Sequence, residues 1–189
     1  MASVTAAALN TAGDVERLLW GVQRGRDLTP TELERLVVSI GRQPELWRPF
    51  AYHDPQERFF TRLHLDRHVE IWLLCWTNGQ KTDVHDHGAS AGAFYVCEGR
   101  LLEDRFATHK RMGGGALLVS RGCRSYRAGQ STGFDAPYVH AVRHARAEAP
   151  ASSVHAYSPP LERMGYYAPD AGQASSAAAR KRSGRGRRT

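Results

Sequence analysis

Residues 79–99, GQKTDVHDHGASAGAFYVCEG, decide how this chain is read. A glycine closes each end, in Asn78-Gly79 and Glu98-Gly99, and both pairs read as turns. Between them lie two strand-sized segments, 82–87 and 92–98. His85 and His87 in the first stand at i and i+2, and strand side chains alternate with period two, so both imidazoles share one face. A further histidine arrives far along the chain in Pro137-Tyr138-Val139-His140, as expected if a distant strand completes one metal site. Imidazole is the commonest protein ligand for transition metals. Three neutral nitrogens on rigid strands leave positions on an ion for substrate, so the pattern points to a metalloenzyme.

The same texture extends on both sides. From about Phe59, short segments rich in Val, Leu, Phe, Tyr and Trp alternate with turn residues every eight to twelve positions or so. Strands are expected at 59–65, 68–76, 82–87, 92–98, 101–107, 116–120, 123–127, 138–143 and 152–157. Further turns are expected at Gly113-Gly114-Gly115, Gly122 and Ala128-Gly129. This is the pattern of an all-β sandwich or barrel. The N-terminal part differs and reads as a helical cap over about 11–50. Asp14 to Arg24 carries Val15, Leu18 and Leu19 at helical spacing. Thr29-Pro30-Thr31-Glu32 then starts a second helix, with Thr29 as cap, Pro30 at the first helical position and Glu32 completing a capping box. Leu33, Leu36, Val37 and Ile40 follow as an apolar stripe that should pack on the domain's own core.

Composition bounds the function classes. The 189 residues suit a single domain over 1–170. The longest apolar run, Ile71 to Trp76, is strand-sized and far too short to span a bilayer, and the first residues lack a secretory pattern. Cys75, Cys97 and Cys123 are odd in number and widely spaced, which suits reduced thiols in the cytoplasm rather than a disulfide framework. The net charge of +7 is concentrated: residues 171–189 hold six Arg and Lys and no acid, leaving the body near neutral. That Ala, Ser and Gly-rich tail is expected to be disordered and solvated. Weak phosphate contact through the tail is the alternative, but without aromatics it offers little specificity for nucleic acid. A monomer is expected.

The motifs also carry a family resemblance. Gly79-x5-His85-x-His87-x4-Gly92-x6-Gly99 resembles the first cupin motif, with Gly92 where most cupins place a glutamate ligand, and Pro137-x2-His140 resembles the second. Loss of that glutamate leaves a three-histidine site, which resembles the thiol dioxygenase branch typified by cysteine dioxygenase. Phe60-Thr61-Arg62, Leu74-Cys75-Trp76 and Ser153-Val154-His155-Ala156-Tyr157-Ser158-Pro159-Pro160 are similar to further segments of that family, so the likeness covers roughly 45–165. It implies an all-β, cupin-type sandwich or jelly-roll barrel with an N-terminal helical cap. It also implies Fe(II) held by His85, His87 and His140, a substrate carboxylate held by Arg62, and an outer relay of Tyr157, His155 and Ser153. The partners implied are a small-molecule thiol and O2, with L-cysteine going to cysteine sulfinate. Animal members carry a cysteine at the position of Gly92, cross-linked to the relay tyrosine; Gly92 leaves Tyr157 an unmodified phenol, as in bacterial relatives.

The other histidines lack a paired partner at ligand spacing and are expected to be structural. Asp86 should point away from the ligands as an ion-pair partner, and Cys97 and Cys123 should be small buried hydrophobes. The alternatives are the same chemistry on another thiol acid such as 3-mercaptopropionate, a cupin enzyme of different chemistry, and a non-catalytic cupin sensor or binding protein. Family members using 3-mercaptopropionate tend to carry glutamine in place of the arginine, so Arg62 favours cysteine.

Overall fold

The computed structural model describes Val15, residues 25–110 and residues 116–167. The tail at 171–189, the triple glycine at 113–115 and most of the helix read at 14–24 lie outside the described residues. The second helix forms where its start signal stands, as α1 (Pro30–Gly41). Thr29 N–H donates to Glu32 Oε2 at 2.9 Å while Glu32 N–H donates to Thr29 Oγ1 at 3.4 Å, which satisfies two otherwise orphaned donors. A short helix, α2 (Pro44–Trp47), and a 3-10 turn (Arg48–Phe50) follow before the chain enters the strands.

Among the described residues, ten strands make two five-stranded antiparallel sheets. The first sheet, in spatial order, holds β1 (Phe60–Leu65), β2 (Glu70–Trp76), β9 (Ala151–Ser158), β4 (Ala91–Glu98) and β7 (Ser131–Phe134). The second holds β10 (Tyr166–Tyr167), β3 (Val84–His85), β8 (Val139–His144), β5 (Arg100–Lys110) and β6 (Ala116–Arg127). The all-β class and the helical cap are therefore as expected.

Strand alternation sorts the first sheet's side chains into two cores. Ile71, Leu73, Cys75, Ala93, Tyr95, Val154 and Ala156 face the cap, where Leu33, Leu36, Val37 and Ile40 are at most 1 % exposed. Trp76, Phe94, Val96 and Tyr157 face the other way, with Leu101, Tyr126 and Val142 of the second sheet. Coverage on both faces explains why all eight residues of β9 are buried and why Ile71 to Trp76 reads as an unbroken apolar run. Gly41 lets the cap sit this close: a Cβ there would come within 2.1 Å of the Tyr95 ring.

Three local expectations change. The two strands expected at 116–120 and 123–127 are one strand, β6; pairing jumps from Asp104↔Cys123 to Phe106↔Ser120, so Gly122 sits in a bulge, with φ +90°, rather than in a turn. β7 and β10 were not expected, because four residues with a central glycine and a two-residue pair carry no periodic signal. Cys123, on the edge strand β6, is exposed, and Cys97, packed against the core near the end of β4, is only partly buried, so neither is a fully buried hydrophobe. Burial pushes the Cys97 thiol up to about 12, far from a nucleophile's range.

Candidate metal centre

The second sheet brings the three sequence-distant histidines together. His85 on β3 is the direct cross-strand partner of His140 on β8. His87 lies two residues beyond, just past the end of β3, where Ser90 N–H donates to its carbonyl at 3.1 Å. Strand geometry therefore covers only the first ligand of the pair, and a tight turn carries the second. The ring centroids are 4.9 Å (85–87), 4.8 Å (85–140) and 5.0 Å (87–140) apart. One nitrogen from each ring falls within 4.8 Å of the others. All three side chains are buried.

The donor chemistry fits a metal ion. His85 Nδ1–H donates to the Asp83 carbonyl at 2.8 Å and His140 Nδ1–H to Glu103 Oε1 at 2.8 Å, which turns each Nε2 lone pair inward. Neither ring nitrogen of His87 has a hydrogen-bond partner of normal geometry, although the ring is fully buried. A buried imidazole left so is costly unless something else takes its lone pair. Burial, helped by the neighbouring His140 ring, pushes the His85 imidazole down to about 3, and the same causes hold His87 well below its usual range. Both are neutral imidazoles at neutral pH, as metal ligation requires. Phe134 and Tyr157 lie on the His87 ring at centroid distances of 4.8 and 5.2 Å.

Gly92 makes that packing possible. A Cβ at this position would come within 2.4 Å of Phe134 Cε2 and 2.9 Å of Tyr157 Cδ1. Asp86, between the two ligands, does face away from them, but it makes no ion pair among the described residues. Its Oδ1 accepts from Gly88 N–H and Gly165 N–H, both at 2.9 Å, and its Oδ2 from the Tyr167 hydroxyl at 2.6 Å. Burial alone would raise this carboxyl, yet those donors hold it below the usual range. Asp86 thus ties the chain after β9 to the ligand turn.

The expected relay is contiguous. Trp76 Nε1–H donates to Ser153 Oγ at 2.9 Å, Ser153 Oγ meets His155 Nε2 at 2.8 Å, and His155 Nδ1 meets the Tyr157 hydroxyl at a longer 3.4 Å. With Trp76 able only to donate, the assignment that serves every member runs Ser153 O–H to His155 Nε2 and His155 Nδ1–H to Tyr157. Tyr157 then keeps its own proton to donate. Tyr157 and His85 line a cavity of about 280 Å³, with Phe60, Trp72, Leu74 and Arg58 among its walls. Its size is at the small end for ligand sites.

Arg62 stands on the same face of β1 as the cavity-lining Phe60, but it is exposed and does not line the cavity; its guanidinium lies 5.5 Å over the Trp72 ring. Arg58 does line it, donating to the Lys81 carbonyl at 2.8 Å and lying 5.0 Å over the Trp76 ring. Arg58, which precedes the strand, and Glu103 carry no sequence motif that marks them as site residues. The only signal for Glu103 is an acid two residues from Leu101 on the inward face of a strand.

A two-sheet sandwich with a helical cap and three converging imidazoles defines a cupin-type metalloenzyme. The chain belongs to the cysteine dioxygenase type I family, whose sequence model matches residues 1–169. Human cysteine dioxygenase type 1 is 26% identical over 156 residues, covering 80% of this chain and 76% of the relative. The zebrafish (Danio rerio) protein of the same name is 26% identical over 157 residues, with the same coverage. Among solved structures, the chain is similar to a Thermus thermophilus protein, TT1209, with TM-score 0.46 and 20% identity over 59% of this chain and 92% of that one. It is also similar to an oxalate oxidase, with TM-score 0.45 and 18% identity over 59% of this chain and 55% of that one. The protein is thus a cysteine dioxygenase-like metalloenzyme. No helix among the described residues is long and apolar enough to cross a membrane.

Proposed function

We propose that the protein is an Fe(II)-dependent thiol dioxygenase that adds both atoms of O2 to the sulfur of L-cysteine, giving cysteine sulfinate. The observation that carries this reading is the set of three buried imidazoles, His85, His87 and His140, without a carboxylate ligand among them, of which His85 reaches the wall of a small cavity. Iron(II) held there would keep its full charge, stabilise a substrate thiolate and bring sulfur and oxygen together. The protein's own residues do the rest. Tyr157, ordered by His155 and Ser153, donates its hydroxyl proton into the cavity, toward substrate or oxidant. Arg62 holds the substrate carboxylate, with charge-assisted bonds of about 1.5–3 kcal/mol each. Arg58 is a second reading for this role, favoured by its place in the cavity wall. The three free cysteines suit a reducing compartment, the cytoplasm.

The test is oxygen uptake by anaerobically Fe(II)-loaded protein against cysteine, 3-mercaptopropionate and cysteamine, with product mass by isotope labelling. Uptake with cysteine and a product gaining two labelled oxygens supports the proposal. No uptake with any thiol, despite stoichiometric iron, sinks it. Arg62→Ala and Arg58→Ala then assign the clamp: the true one weakens cysteine strongly and cysteamine, which has no carboxylate, little.

A further inference from the structure

Behind the ligands lies a carboxylate that neither the relay nor the substrate role employs. Glu103 on β5 is 0 % exposed. It pairs with Val142 across the β5–β8 ladder, and His140 pairs with Arg105, so Glu103 and His140 are diagonal neighbours on the inward face. Its Oε1 accepts from His140 Nδ1–H at 2.8 Å and its Oε2 from the Tyr126 hydroxyl at 3.0 Å. Each oxygen therefore meets a donor. A fully buried carboxylate is costly unless paired. Here the pairing runs through an imidazole that belongs to the three-histidine group.

We propose that Glu103 is a positioning residue of the metal centre, holding His140 as the Nδ1–H tautomer and supplying the negative charge that its three neutral ligands lack. His85 is oriented by the neutral Asp83 carbonyl, and His87 has no hydrogen-bond partner of normal geometry, so among the described residues Glu103 is the one charged group that hydrogen-bonds a ligand. The carboxylate makes His140 the strongest donor of the three and stabilises a higher charge on the ion. This rests on the metal-site reading and is independent of which thiol is oxidised.

The experiment measures Zn(II) and Co(II) affinity by chelator competition in the wild-type protein, Glu103→Gln and Tyr126→Phe, with the melting midpoint of each metal-free protein. Glu103→Gln keeps shape and removes charge, and is expected to weaken binding 10- to 100-fold with little change in metal-free melting. Tyr126→Phe, which leaves the contact to His140 intact, should change affinity by no more than a few-fold. Equal affinity in Glu103→Gln and wild type overturns the proposal, as does an equal loss in both variants, which would mean general packing. Absence of binding by the wild type would instead sink the metal site itself. Should Glu103→Gln fail to fold, the Zn(II)-loaded, 15N-histidine-labelled wild type decides. His140 protonated at Nδ1 supports the proposal, and His140 protonated at Nε2 overturns it.

Discussion

Replacing Gly92 by alanine probes how tightly the metal centre is packed. The added Cβ would stand 2.4 and 2.6 Å from Phe134 Cε2 and Cζ and 2.9 Å from Tyr157 Cδ1, all inside any tolerable contact. Phe134 cannot easily retreat: it is 4 % exposed, with its ring 4.8 Å from His87 and stacked 4.9 Å from Tyr138. Overpacking of this kind costs about 1–3 kcal/mol, or roughly 2–12 °C of melting midpoint for a chain this size. Because the displaced ring rests on a ligand, metal affinity should fall as well. The assay is thermal melting of the metal-free protein and Zn(II) competition, repeated in a Phe134→Leu background. Trimming Phe134 should recover at least half of the alanine's cost, a coupling that independent, well-separated sites do not show. The reasoning is refuted if Gly92→Ala melts and binds like wild type, or if its cost is unchanged in the Phe134→Leu background.

Asp86→Asn replaces the acceptor of the Tyr167 hydroxyl, a charge-assisted bond of about 1.5–3 kcal/mol; faster amide hydrogen exchange at Tyr166 and Tyr167 and weaker metal binding are expected, and unchanged exchange would count against it. Ser153→Ala leaves the buried Trp76 N–H without its acceptor and should cost about 1–3 kcal/mol by denaturant melting. Bonds from Arg26, then from Thr29, hold the Glu32 carboxyl down to about 2. Its depressed value means a contribution fully present above the ordinary 4.5 and lost as pH falls toward 2. Glu32→Gln should therefore lower stability by about 0.3–1 kcal/mol at neutral pH, the size of an exposed ion pair and a first-turn helix charge, and flatten the acid limb of the melting profile; an unaltered limb would contradict this.

The parts of the fold legible in the sequence are those with strong local grammar. The Thr29-Pro30-Thr31-Glu32 start, the stripe from Leu33 to Ile40 and the turn glycines at 79, 99 and 129 all stand where read. The three histidines were legible because their spacing and type are informative even without long strands. What escaped depends on cross-strand partners. β10 exists because Asp86 and His85 offer it bonds and a pairing edge, and Tyr166 and Tyr167 alone announce nothing. Gly122 has the chemistry of a turn, but only the partner strand tells a bulge from a reversal. Glu103 and Arg58 likewise acquire meaning from neighbours far along the chain, and Arg62, read from a motif, stands at the right face without reaching the cavity wall.

The ligand strand is only two residues long, caught between His140 on one side and Tyr166–Tyr167 on the other. On a ribosome, His85 and His87 emerge long before either flank exists, so the nascent chain cannot yet present a finished nest for an ion. The set of three imidazoles is thereby completed only once His140 has been made, and the second flank of the ligand strand only after Tyr167.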